Sequence, residues 1–192
     1  MLTHLRPALV MLALFTVLTG VIYPLALTGV AQVLASSQAN GSLLARGGTV
    51  VGSALIGQPF TLDGYFHGRP SAAGEKGYDA SASSGSNLGP LSRKLLDRVQ
   101  ADVSSLREMG ASSVPGDAVT TSASGLDPHI SPAFATLQVP RVATARKVTE
   151  ERVRAILQQH IALPALGVLG EPRVNVLELN LALDAALASG AG

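Results

Sequence analysis

PALVMLALFTVLTGVIYPLALTGVAQVLA, running from Pro7 to Ala35, holds no Asp, Glu, Lys or Arg. The nearest charges along the chain are Arg6 before it and Arg46 after it. Its dense part, Ala8 to Val30, is Ala, Leu, Val, Ile, Met and Phe, broken by a few Thr and Gly and by Tyr23-Pro24. As a helix this part rises about 35 Å at ~1.5 Å per residue, enough to cross a hydrocarbon core of roughly 30 Å. Backbone groups have no water to pair with there, so the segment must be helical. The expectation is one transmembrane helix. His4, Arg6 and the amino terminus precede it, so the positive-inside bias puts the N-terminus in the cytoplasm. The expected organisation is a short cytoplasmic N-terminus over 1–7, a transmembrane helix over 8–30, a linker over 31–46 and an extracytoplasmic, periplasmic-side domain over 47–192. A rival reading is a cleaved signal peptide with Val33-Leu34-Ala35-Ser36 at the cleavage site. The apolar run is longer than the ~7–15 residues of a signal h-region, which favours the anchor. There is no Cys, which excludes a lipoprotein anchor.

Composition bounds the rest. The overall hydrophobic share of 47% is inflated by the span. Arg6 and Arg46 are the only basic residues before Gly47, which leaves 12 of the 14 Lys and Arg against all 13 Asp and Glu. A near-neutral domain without a basic stripe is not a nucleic-acid binder. Without Cys no disulfide can staple it, so a packed core or partner subunits must hold it. Aromatics are 4% with no Trp, a thin supply of anchors for a binding module.

Along the chain, Thr49 to Gly57 is β-branched and bounded by Gly, and reads as a strand. Tyr65 to Ser71 reads as strand into loop. Residues 71–90 are a long Gly/Ser/Ala loop, of a length that signals function or contact. Ser86 or Asn87 is the expected N-cap of a helix with Pro90 in its first turn, and Leu91, Leu95, Val99, Val103 and Leu106 give its apolar stripe up to Gly110. Val114-Pro115 and Ala118 to Thr120 are expected to be extended. Ser131-Pro132 opens another helix, which Pro140 is expected to interrupt. Thr149-Glu150-Glu151 opens a further one with Val153, Ile156 and Leu157 buried. Arg173 to Leu179 reads as a strand, and Asn180 as the cap of a final helix from Leu181 to Ala188. The expected class is α+β, or irregular α/β, following the membrane helix.

Chemistry is sparse. The four His are scattered, and neither a HExxH nor a paired-cysteine pattern occurs, so no metal site is expected. The Walker A pattern is missing. Ser124, Asp127 and His129 supply the residue types of a hydrolytic triad, but at that spacing they make a local Asx-type turn. Thr16, Thr19, Gly20, Tyr23, Pro24 and Thr28 give the span a small, partly polar set of residues suited to packing on other helices. A membrane-anchored serine hydrolase using Ser124 or Ser86, and a secreted binding protein, stay open as alternatives.

Seven stretches in order resemble one family: Leu18 to Leu25 (LTGVIYPL), Gln38 to Leu43 (QANGSL), Gly52 to Gln58 (GSALIGQ), Gly64 to Ala72 (GYFHGRPSA), Ser84 to Leu88 (SGSNL), Val119 to Asp127 (VTTSASGLD) and Val174 to Asp184 (VNVLELNLALD). The chain resembles the C subunit of the Kdp-type potassium-transporting ATPase over nearly its whole length. The resemblance implies a single-span, non-catalytic subunit of a bacterial inner-membrane complex that imports potassium at the expense of ATP. Implied partners are a channel-like potassium-translocating subunit, a P-type ATP-hydrolysing subunit and a very small accessory membrane subunit. Implied roles are assembly of these subunits and a rise in the ATP affinity of the hydrolysing one. No cofactor is expected to be held tightly by this chain. ATP enters through the hydrolysing subunit, and potassium is cargo. The topology read from charge conflicts with direct ATP contact, since only residues 1–6 would face the cytoplasm. Candidate subunit contacts are Tyr65, His67, Arg69, Pro70, Ser86, Asn87, Ser124, Gly125 and Asp127, in the two Gly/Ser loops and the motif before them. Asp63, Asp79 and Asp127 are weak candidates for raising cation concentration near a pore mouth.

Overall fold

A computed structural model describes residues 4–188. Residues 1–3 of the expected cytoplasmic N-terminus and 189–192 of the expected domain lie outside the described residues. The chain divides into two compact units, Met1–Val51 and Gly52–Gly192.

The first unit is dominated by one apolar helix, Leu5–Leu34, of mean hydropathy 2.2 over its most apolar window, with that window exposed. It comprises α1 (Leu5–Val17), a π-helical turn (Leu18–Ile22) and α2 (Tyr23–Leu34). Pro24 explains the turn. It has no N–H to give, and its ring crowds the carbonyl four residues back, so the preceding turn widens. Ala35 leaves helical geometry and a single turn, α3 (Ser36–Ala39), follows. The amides of Gln32 and Asn40 exchange two hydrogen bonds, at 3.2 and 3.1 Å, and tie this turn back to the helix end. The strands β1 (Leu43–Arg46) and β2 (Thr49–Ser53) form a hairpin. Gly47 and Gly48 close it with φ of +58° and +83°, the geometry of a two-residue hairpin turn that only glycine meets without strain. Residues 31–46 thus carry ordered elements, and the strand expected over Thr49 to Gly57 ends at Ser53.

The second unit mixes helix and sheet. Its helices are α4 (Arg93–Glu108), α5 (Pro132–Arg146), α6 (Glu150–Gln159) and α7 (Val176–Ala188). Three short strands, β3 (His129–Ile130), β4 (Ile161–Ala162) and β5 (Arg173–Asn175), form an antiparallel sheet in the order β3-β5-β4. Ile130 and Ile161 both face Val174 across it. Phe66, Phe134, Val139, Val142, Val153, Leu157, Val174, Leu179 and Leu183 form the core. Ser131 and Thr149 cap α5 and α6 as expected, accepting from the N–H groups of Phe134 and Arg152.

Several further expectations fail. The helix expected to start at Ser86 or Asn87 starts at Arg93, with Ser92 as its cap, and Asn87 instead takes a φ of +51°. Arg173 to Leu179 is strand only to Asn175. Val176, Leu179 and Leu183 then fall on one buried helical face, and the Asn175 side chain accepts from Glu178 N–H at 3.2 Å to start α7. Asn180 is therefore an interior residue of α7 and not its cap. Pro140 does not interrupt α5, because it and Thr136, whose carbonyl loses a donor to the ring, are both exposed to water. Tyr65 to Ser71 forms no strand, and Gly116–Ala118 is a turn of 3-10 helix rather than extended chain.

Candidate functional site

The segment Gly64 to Ser71 is extended chain without a neighbouring strand, and side-chain amides replace one. Asn180 of α7 accepts from Phe66 N–H at 2.8 Å and donates to Phe66 C=O at 2.9 Å. Gln138 of α5 treats His67 the same way, accepting at 2.7 Å and donating at 3.1 Å. Phe66 is 0% exposed and Asn180 2%, so the Asn180 pairing is made out of reach of water. Arg141 then gathers the segment, donating to the carbonyls of Asp63 at 2.7 Å and Tyr65 at 3.0 Å and to the Gln138 side chain at 2.8 Å. Arg146 donates to Gly64 C=O, pairs with Asp184 at 2.8 Å and lies over the Tyr65 ring at 4.7 Å, while Tyr65 donates its hydroxyl to Asp184 at 3.1 Å. Burial lowers the pKa of His67, and the neighbouring Arg141 charge lowers it further.

A second cluster joins both Gly/Ser loops. The Arg69 guanidinium reaches Asp127 at 3.1 Å and the carbonyls of Thr120 and Thr121. Tyr78 donates to Arg69 C=O at 2.6 Å. Burial, helped by the Asp127 charge, pushes its pKa up to about 12, so it stays a donor. Ser71 donates to Gly125 C=O at 2.6 Å and accepts from Tyr78 N–H at 2.8 Å. Ser84 N–H donates to Ser124 C=O at 3.0 Å. Gly125 has a φ of +67°, and a Cβ there would stand 2.6 Å from Ser84 O and 2.8 Å from Ala73 N, so only glycine lets the loops cross. Hydrogen bonds from His129 hold Asp127 below the usual carboxylate range, against its burial and with help from Arg69.

The structure thus brings Arg69, Ser124, Gly125 and Asp127 together, and sets Tyr65 and His67 against α5 and α7. Pro70 lies half-buried between the two groups, and Ser86 is half-buried beside exposed Asn87. Ser124, Asp127 and His129 form local turns: Leu126 N–H donates to Ser124 Oγ at 3.1 Å, and His129 N–H to Asp127 Oδ1 at 2.9 Å. Asp63 lies near Arg141, and Asp79 accepts from Ser81 N–H and hydroxyl. An open hollow of about 490 Å³ lies beside Arg69, Asp117, Asp127, His129, Glu171 and Arg173, with mixed charge. Within it Asp117 already accepts from Ser131 N–H and Oγ. Among the described residues no group of three or more His, Cys, Asp or Glu is placed to hold a metal ion. Sequence reasoning passed over Gln138, Arg141, Arg146 and Asp184. The available signal was polar Gln138 inside the apolar stripe Ala135, Val139, Val142 of α5.

In the first unit, Thr16, Thr19, Gly20, Tyr23, Pro24 and Thr28 all lie on the apolar helix. The π-helical turn falls on Thr19 and Gly20, immediately before Tyr23-Pro24.

One candidate membrane span precedes an α+β unit whose motif residues brace its own loops, a design that suggests a membrane-associated protein. The family described as K+-transporting ATPase, c chain (KdpC) matches residues 5–185. The chain belongs to this family. A potassium-transporting ATPase KdpC subunit of Caulobacter vibrioides is 62% identical over 187 residues, covering 96% of this chain and 94% of that protein. One of Gemmatimonas aurantiaca is 59% identical over 186 residues, with 96% and 94% covered. One of Rhodopseudomonas palustris is 55% identical over 198 residues, with 97% and 100% covered.

Proposed function

We propose that this chain is the single-span, non-catalytic subunit of an ATP-driven, high-affinity potassium-import complex of the bacterial inner membrane. The observation that carries this reading is the family match from residue 5 to residue 185, which takes in the span and the domain together. In this reading the helix packs on the membrane helices of a channel-like potassium-translocating subunit and a P-type ATP-hydrolysing subunit, with a very small accessory subunit alongside. The N-terminus lies in the cytoplasm and the domain outside. The chain stabilises the assembly and raises the ATP affinity of the hydrolysing subunit indirectly, through the membrane subunits, because ATP is cytoplasmic. ATP and potassium belong to the complex, and neither is held tightly by this chain.

Tagged purification in mild detergent, with mass spectrometry of the proteins that accompany the chain, tests this. The expected result is a P-type ATPase subunit and a polytopic potassium-translocating subunit in fixed ratio, with potassium-stimulated ATPase activity after reconstitution. Recovery of the folded chain alone would overturn the reading.

A further inference from the structure

Among the described residues, the helix ladder falls short of donors just before Pro24: Gly20 C=O loses the amide four residues on, and Thr19 C=O is skipped as well. At the π-helical turn Tyr23 N–H donates to Leu18 O, five residues back. In a regular α-helix that N–H would serve Thr19 O. The next candidate donor is Pro24, which has no N–H. Thr19 C=O is thus skipped by both amides in reach. The Thr19 hydroxyl does not compensate, because it donates to Phe15 O at 2.7 Å.

Position makes the omission costly. Thr19 stands halfway along Leu5–Leu34, about 20 Å from either end at ~1.5 Å per residue, at the depth where neither water nor lipid tails supply a proton. The approach is open, since a Cβ built on Gly20 would meet nothing within 4 Å. Leu12 and Thr16 share the Thr19 face at spacings of seven and three, and Val17 points away.

We propose that Thr19 C=O is the polar centre of a docking seam for one transmembrane helix of another subunit of the ATPase, which brings a hydrogen-bond donor such as a hydroxyl, amide or indole side chain to it. The proposal rests on the complex named under Proposed function and specifies where on this chain that complex is held. Lipid tails offer no donor. A second copy of this helix, paired symmetrically on this face, would set two such carbonyls against each other, acceptor facing acceptor.

The test uses the full chain co-expressed with the other subunits and isolated in mild detergent. Pro24→Ala returns an N–H at position 24 and lets the ladder close. Recovery of partner subunits is expected to fall by roughly tenfold, the worth of one interhelical hydrogen bond at the strong end, while the chain still accumulates in the membrane. Unchanged recovery overturns the proposal. Because the proline also sets the course of the helix, a photo-crosslinking residue is placed at Leu12 or Val17 with Pro24 intact. Crosslinks to a polytopic subunit are expected from Leu12 and not from Val17. Crosslinks from Val17 alone, or from Leu12 only to lipid or to a second copy, overturn the proposal, whatever Pro24→Ala does. If the unaltered chain recovers no partner at all, the complex itself fails, and the docking seam with it.

Discussion

Asn180 does for Phe66 what an adjacent strand would do, and it does so in a site closed to water. Asn180→Ala leaves a buried N–H and a buried C=O without partners, each worth ~1–3 kcal/mol. We expect a loss of about 3 kcal/mol, read as a lowered denaturation midpoint of the detergent-solubilised chain. A loss below about 1 kcal/mol would mean that water enters and serves both groups. Two other residues couple stability to pH in separate windows. His67 has its pKa lowered by burial and by Arg141, so the unfolded chain takes up the proton first. Stability therefore falls as pH drops below about 6.5, and it continues to fall until the folded ring titrates. His67→Gln should flatten the profile between about pH 7 and 5, measured by thermal unfolding across that range. Asp127 is depressed in the folded state, first by the hydrogen bonds from His129. Its contribution is complete above the usual carboxylate value of about 4 and is lost as pH falls through the depressed value. Asp127→Asn should remove that acid-range slope and leave the His67 window in place. Reading these roles from the sequence was out of reach for a common reason. A polar side chain that pairs with distant backbone carries no local pattern, and Asn180 and Phe66 are far apart along the chain.

Elements were legible where local chemistry decides them. Ser131 before Pro132, and Thr149 before two glutamates, mark helix starts that the structure keeps, because a cap satisfies its own helix and needs no neighbour. Misreadings arose where a distant contact decides. Arg173 to Leu179 alternates like a strand, yet only Arg173 to Asn175 find partners, on β3 and β4, before the apolar spacing Val176, Leu179, Leu183 takes over as a helix. Pro140 was read as a break on the strength of its missing N–H and its ring clash. The helix runs through it to Arg146, with the deprived Thr136 turn on the wet face. That arrangement predicts a gain on substitution. An interior proline costs a helix ~3 kcal/mol, partly offset by the freedom it removes from the unfolded chain. Pro140→Ala should thus stabilise the protein by about 1–2 kcal/mol, seen as a higher melting temperature. A lower melting temperature would show instead that the ring packs against something the helix needs.

At the scale of the whole molecule, the charge-free run from Pro7 to Ala35 and the motifs in register made the long apolar helix and the family legible. The partner surfaces were not legible, because a near-neutral domain advertises none of its faces, and several motif residues turn inward to brace loops. Arg69, Gly125 and Asp127 hold the crossing of the two Gly/Ser loops, and Tyr65 is locked to Asp184 and Arg146. The side of the membrane on which the domain lies decides how it can influence ATP. A domain outside the cell membrane meets no ATP and must act through the helices of its partners. A domain inside could touch the nucleotide itself. The chain has no Cys, so a single introduced thiol reports its own side without background. Ser83→Cys is exposed on the second unit, and His4→Cys is exposed at the start of the apolar helix. In intact spheroplasts a membrane-impermeant maleimide should label Ser83→Cys at once, and should reach His4→Cys only after the membrane is opened. The reverse pattern would place the domain beside the nucleotide. It would also make mutation of its exposed loops, rather than of the helix seam around Thr19, the way to change ATP affinity.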